Sequence, residues 1–147
     1  EYKPPTPELV AKVQTAIDPE QNHGEGVGIA PIGHVVTVEG ARNSAVKIGL
    51  HLSFAAGGAY AAYKKQVEDT IDAYFLELNK GWQGTQVTEI DRVSNTGIVI
   101  RIAQIESRLL AIDGIDDVQH TTLNSSEENL TLGLDELAVR GEVTADG

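Results

Sequence analysis

The chain has 147 residues, a formal net charge of −11, 41% hydrophobic and 5% aromatic residues, and no cysteine. That length suits one domain, spanning 1–147, that buries roughly two thirds of its unfolded surface in a core of Val, Ile, Leu and Ala. Disulfides and thiolate metal sites are excluded. The eleven Lys and Arg stand singly apart from Lys64-Lys65, which argues against nucleic acid and anionic membranes, and no apolar run nears the roughly 18 residues of a membrane span.

Along residues 1–20, PPTPELVAKVQTAIDPE reads as a helix. Thr6 offers an N-cap, Pro7 fits the first helical position, Leu9, Val13 and Ile17 share a face, and Asp18-Pro19 ends it. A glycine-rich loop follows over 21–33, QNHGEGVGIAPIG. His34 to Glu39 predicts a strand and Lys47 to Phe54 a stronger one, with Ile48, Leu50, Leu52 and Phe54 alternating against polar positions. The polar turn GARNSA between them predicts an antiparallel hairpin. Gly57-Gly58 then opens the longest helix, Ala59 to Asn79, whose stripe of Tyr60, Tyr63, Val67, Ile71, Tyr74, Phe75 and Leu78 predicts core packing. Trp82 sits in a Gly-bounded loop.

The run TGIVIRIAQIESRLLAIDG divides into an extended piece through Arg101 and a helix over 102–112, with Gly114 as its C′ residue. Asp117 to Leu123 reads as a strand, Leu130, Leu132 and Leu134 alternate in another, and Ala138 to Thr144 forms a last extended piece. This order predicts an α+β domain of two layers, with antiparallel β hairpins packed against one long and one or two shorter helices.

Chemistry is sparse. A dinucleotide loop needs a strand before its glycines and a helix after them, and here the order is reversed. A P-loop needs Gly-Lys-Ser or Gly-Lys-Thr, and no lysine lies between Lys12 and Lys47. His23, His34, His51 and His120 match no ligand template, yet His34 and His51 fall on neighbouring predicted strands. A metal- or small-molecule-binding enzyme domain using His34, His51, Asp116 and Asp117 is therefore the alternative function. Asp113, Asp116 and Asp117 could pair for acid–base work, although IDGIDD reads more simply as a helix end and turn. Trp82 and the tyrosines could make a carbohydrate platform, but a buried stripe opposes that. Neither a catalytic residue nor a cofactor is expected.

GEGVGIAPIGHVVTVEG, GWQG, IRIAQIESRLLAIDGIDDVQHTTLN and ENLTLGLDELAVRGEV resemble, in this order, the C-terminal region of the baseplate J-like family of contractile-tail phage proteins. Ala138 departs from a proline often found there. The resemblance implies a structural part of a phage or prophage tail baseplate, assembled in the bacterial host cytoplasm and located in the virion tail baseplate. It implies contacts with other baseplate proteins and with copies of itself, and no catalytic residues. The chain reads as a C-terminal piece of a longer protein, by itself a monomer or weak dimer, without nucleic acid or membrane insertion. The glycine loop is then conformational, packed on its own chain or held out as a partner contact at Gly28, Ile29, Ala30, Pro31, Ile32 and Gly33. The edge of a hairpin over Leu130 to Val143 is the second candidate surface.

Overall fold

The computed structural model describes residues 3–82 and 97–146, which form two compact units, residues 3–42 and residues 43–146. The architecture is α+β. In the first unit α1, Pro7–Ile17, starts as its sequence dictates: Thr6 accepts a hydrogen bond from the Leu9 N–H at 3.3 Å, and Pro7 follows it. Asp18 ends the helix. A short 3₁₀ turn over Glu20–Asn22 leads into the glycine loop.

The apolar face expected of α1 does not become core. Leu9 and Val13 are 51% and 37% exposed, and the buried residue of the helix is Gln14. His34 to Glu39 also corrects the sequence reading, because this run joins no sheet and no hairpin forms across GARNSA. Instead β1 begins within that predicted turn and runs Arg42–Phe54.

The second unit is organised around β1. Its partners are β3, Ile115–Leu123, on one side and β5, Glu136–Asp146, on the other. β1 and β3 are antiparallel, with Ile48 opposite Leu123 and Leu52 opposite Val118. On the other side Gly141 lies against Val46, and Thr144 against Gly49. A second small sheet pairs β2, Val99–Ile100, antiparallel with β4, Leu130–Thr131. The alternation of Leu130, Leu132 and Leu134 is thus cut short. Glu136 donates its N–H to Gly133 O and accepts from the Gly133 N–H, which turns the chain and leaves Leu134 49% exposed. The hairpin expected over Leu130 to Val143 does not form, since β4 pairs with β2 and β5 with β1.

α2, Tyr60–Trp82, packs on β5, while α3, Ile102–Leu109, packs on β3 and α2. The stripe on α2 is core as expected: Val67, Ile71, Tyr74 and Phe75 are buried with Ile48, Leu50 and Leu52. Phe54 is half-buried and stacks on Tyr63 with ring centroids 5.1 Å apart. Trp82, expected in a Gly-bounded loop, is instead the last residue of α2, and the remainder of that loop falls in residues 83–96, outside the described residues. α3 ends earlier than the spacing predicts, and Gly114, with φ of 100°, serves the turn into β3 rather than the helix cap. Its start is capped from elsewhere, because Asn129 Oδ1 accepts from the Ile102 N–H and Tyr74 Oη from the Arg101 N–H.

Polar ties bind α2 to β5. Asn79, buried, donates to Ala138 O and accepts from the Ala138 N–H, both at 2.9 Å. Arg140 makes a forked pair with Asp72 at 2.8 and 3.0 Å. Two outcomes follow. Ile71→Ala should lower the unfolding free energy by about 2–5 kcal/mol in urea titration, because a fully buried side chain leaves a cavity. Ala138→Pro should cost about 1–3 kcal/mol, because it strands the Asn79 oxygen without its donor.

Candidate interaction site

The glycine loop leans its backbone on the end of α1. The Ile29 and Ala30 N–H groups donate to Ala16 O and Ile17 O at 3.1 and 2.9 Å, occupying carbonyls that a helix end leaves unpaired. Gly28 makes that approach possible, since a Cβ there would collide with Ile17 O. Gly24, Gly26 and Gly33 hold φ values of 75°, 71° and 85°, where side chains are strained.

Asp18 is the hub beneath the loop and is only 2% exposed. Its carboxylate accepts from the Gly24 N–H at 3.0 Å and the Val36 N–H at 2.9 Å, and His23 Nδ1 lies 2.8 Å from it. Hydrogen bonding to His23, then to the Val36 and Gly24 amides, holds the carboxyl down to about 2 from its usual 3.8, against the opposing effect of burial. Gln14 supplies the second tie. Its amide donates to Val36 O at 2.8 Å and accepts from the Val38 N–H at 2.7 Å.

Clamped in this way, the loop turns its apolar side chains outward. Ile29 and Ile32 are 80% and 79% exposed, with Val27 and Val35 also exposed, while Ala30 alone of the tip is buried. The backbone packs on its own chain, while the isoleucine side chains remain largely exposed. Residues 26–38 contain no Asp, Glu, Lys or Arg, although the chain carries −11. Small, uncharged and held in one conformation, the tip has the properties of a contact surface.

The other candidates disperse. His34 stands on no strand, so no ladder places it beside His51. His51 meets His120 instead, edge to face with centroids 6.4 Å apart, where β3 bulges and His120 takes φ of 47°. Asp117 pairs opposite Ser53 and spends its carboxylate on the Val118 N–H and the Gln119 amide. Asp113 and Asp116 are exposed. Among the described residues no three His, Asp or Glu gather as a metal site. Of the α2 tyrosines, Tyr74 is buried, Tyr63 is half-buried with its ring stacked on Phe54, and Tyr60 is half-buried, while the Trp82 side chain lies outside what is described.

Gln14 and Asp18 escaped the sequence reading. The signal was their spacing of four on one helical face directly before the glycines, a polar pair where a helix stripe would otherwise continue.

The Asp18 hub titrates in a defined direction. A folded-state value below the unfolded one means that its contribution is fully present above about pH 3.8 and is lost as pH falls through about 2. The amide protons of Gly24 and Val36 should shift together in an acid NMR titration with a midpoint near 2, and Asp18→Asn should abolish that step. A midpoint in the ordinary carboxylate range would contradict the hub.

Residues 46–146 match the family described as Baseplate J-like protein C-terminal domain. The phage-like element PBSX protein XkdT of Bacillus subtilis (strain 168) is 30% identical over 141 residues, which cover 96% of this chain and 36% of that protein. The protein YqbT of the same organism is 30% identical over 135 residues, 92% of this chain and 34% of that one. The chain thus spans about a third of the length of these relatives. The glycine loop precedes the family match, but a likeness covering 96% of the chain includes it. With α2, α3, β3, β5 and all but the first four residues of β1 lying inside residues 46–146, this chain belongs to the Baseplate J-like protein C-terminal domain family.

Proposed function

We propose that the chain is a structural component of a phage or prophage tail baseplate and takes part in wedge and ring assembly through protein–protein contacts. Family membership over residues 46–146 supports the baseplate role. The observation that carries the contact reading is the pair Ile29 and Ile32, about four-fifths exposed on a loop whose backbone is fixed from beneath. A surface built so costs little conformational entropy when a partner covers it, because the loop is already ordered. Gly28 to Gly33 is thus the proposed contact, with other baseplate proteins or further copies of the chain as partners and the virion tail as the location. The role is assembly rather than catalysis, with the particle put together in the host cytoplasm.

The test is a double substitution, Ile29→Asp with Ile32→Asp, placed in the full-length protein within its own particle. The melting temperature should stay nearly unchanged, because neither side chain is buried, while electron microscopy should show loss of assembled baseplates. Unfolding of the variant would make the tip part of the core. Normal particles from a folded variant would remove the tip from the assembly contacts.

A further inference from the structure

The best strand signal that the fold leaves unused is His34-Val35-Val36-Thr37-Val38. Four of its five residues are β-branched, yet it joins no sheet. One edge of this segment is nevertheless occupied as if a strand lay beside it. The Gln14 amide donates to Val36 O and accepts from the Val38 N–H, as a peptide group of a parallel neighbour would, and Asp18 takes the Val36 N–H. Alternate residues of an extended chain direct their N–H and C=O groups to opposite edges. Those of Val35 and Thr37 therefore face away from α1, and among the described residues they find no partner. Both residues are exposed, Val35 to 68%.

We propose that His34–Val38 is a preformed docking strand that accepts an extended segment of another protein by strand addition. The clamp by Gln14 and Asp18 holds the backbone straight in advance, and the outer edge supplies the hydrogen bonds. Charge defines the occupant. The strand has no charged side chain, but exposed Glu25 and Glu39 bracket its uncharged stretch, and the chain carries −11. A second copy brings the same acidic flanks, so the fitting partner has neutral β-branched residues at its centre and Lys or Arg at its ends. This strand is distinct from the Gly28–Gly33 tip, and the inference holds whether or not that tip is an assembly contact.

Amide exchange of the chain measured by NMR at low salt tests it, with the peptide Lys-Val-Thr-Val-Thr-Val-Lys as probe and Glu-Val-Thr-Val-Thr-Val-Glu as its counterpart. The lysine-ended peptide should slow exchange at Val35 and Thr37 by about tenfold or more, and the glutamate-ended one should not. Thr37→Pro removes one outward N–H and should abolish peptide protection while Val36 and Val38, bonded inward, stay protected. The wild-type measurement decides the matter alone if that variant unfolds. Absence of protection by both peptides would overturn the docking strand. Equal protection by the two would overturn the charge assignment, and protection of the same amides on concentrating the chain alone would make the occupant a second copy.

Discussion

A buried peptide group must find a hydrogen-bond partner, and in this chain polar side chains supply it at several places where the regular ladders stop. Asn79 trades two bonds with Ala138, in the pattern of a closely spaced antiparallel pair. Gln14 binds Val36 and Val38 as a parallel neighbour would. Asn129 and Tyr74 serve the start of α3, and Asn124 accepts from the Lys47 N–H at the end of β3. Among the described residues two ladders are extended, and these polar groups tie the irregular connections to the regular elements beside the apolar core. Ala138 shows the consequence in sequence terms. Its N–H is in use, so the proline that resembling proteins often carry would be at odds with Asn79 in this chain.

Much of the second unit was legible. Period-two alternation over Lys47 to Phe54 and the helical stripe from Tyr60 to Leu78 are strong because each element buries one face in the core, so the pattern and the packing have the same cause. Boundaries were less legible. β1 starts five residues early, within an apparent turn, because strands from distant parts of the chain pair with it and extend it. The short β2 and β4 owe their strand character to each other, and a two-residue ladder has no period to read.

In the first unit the pattern misled for a physical reason. Leu9, Val13 and Ile17 have helical spacing, but the face that meets the rest of that unit is the one bearing Gln14 and Asp18. A polar interior is invisible to hydrophobic periodicity. The glycines were informative in kind: they announce positive φ and close approach, and Gly28 against Ile17 shows the second of these. What they could not announce was the direction of the isoleucines, which depends on bonds from Ala16, Ile17 and Asp18 that precede the loop. The histidine pairing foreseen from strand order failed with the hairpin that supported it.

The place of β1 in the sheet bears on how the chain is made. Its two partners, Ile115–Leu123 and Glu136–Asp146, are translated long after it, with α2 and α3 in between. During synthesis the strand bearing Val46, Ile48, Leu50 and Leu52 leaves the ribosome with neither edge paired, and the second edge is filled only when Glu136–Asp146 emerges. Its pairings are long-range, so the sheet closes late and slowly. A chain terminated shortly before Glu136 would keep most of its apolar residues and α1, α2 and α3, yet present a bare hydrophobic strand edge. Truncation products of this protein are therefore candidates for aggregation and proteolytic clearance rather than for partial function.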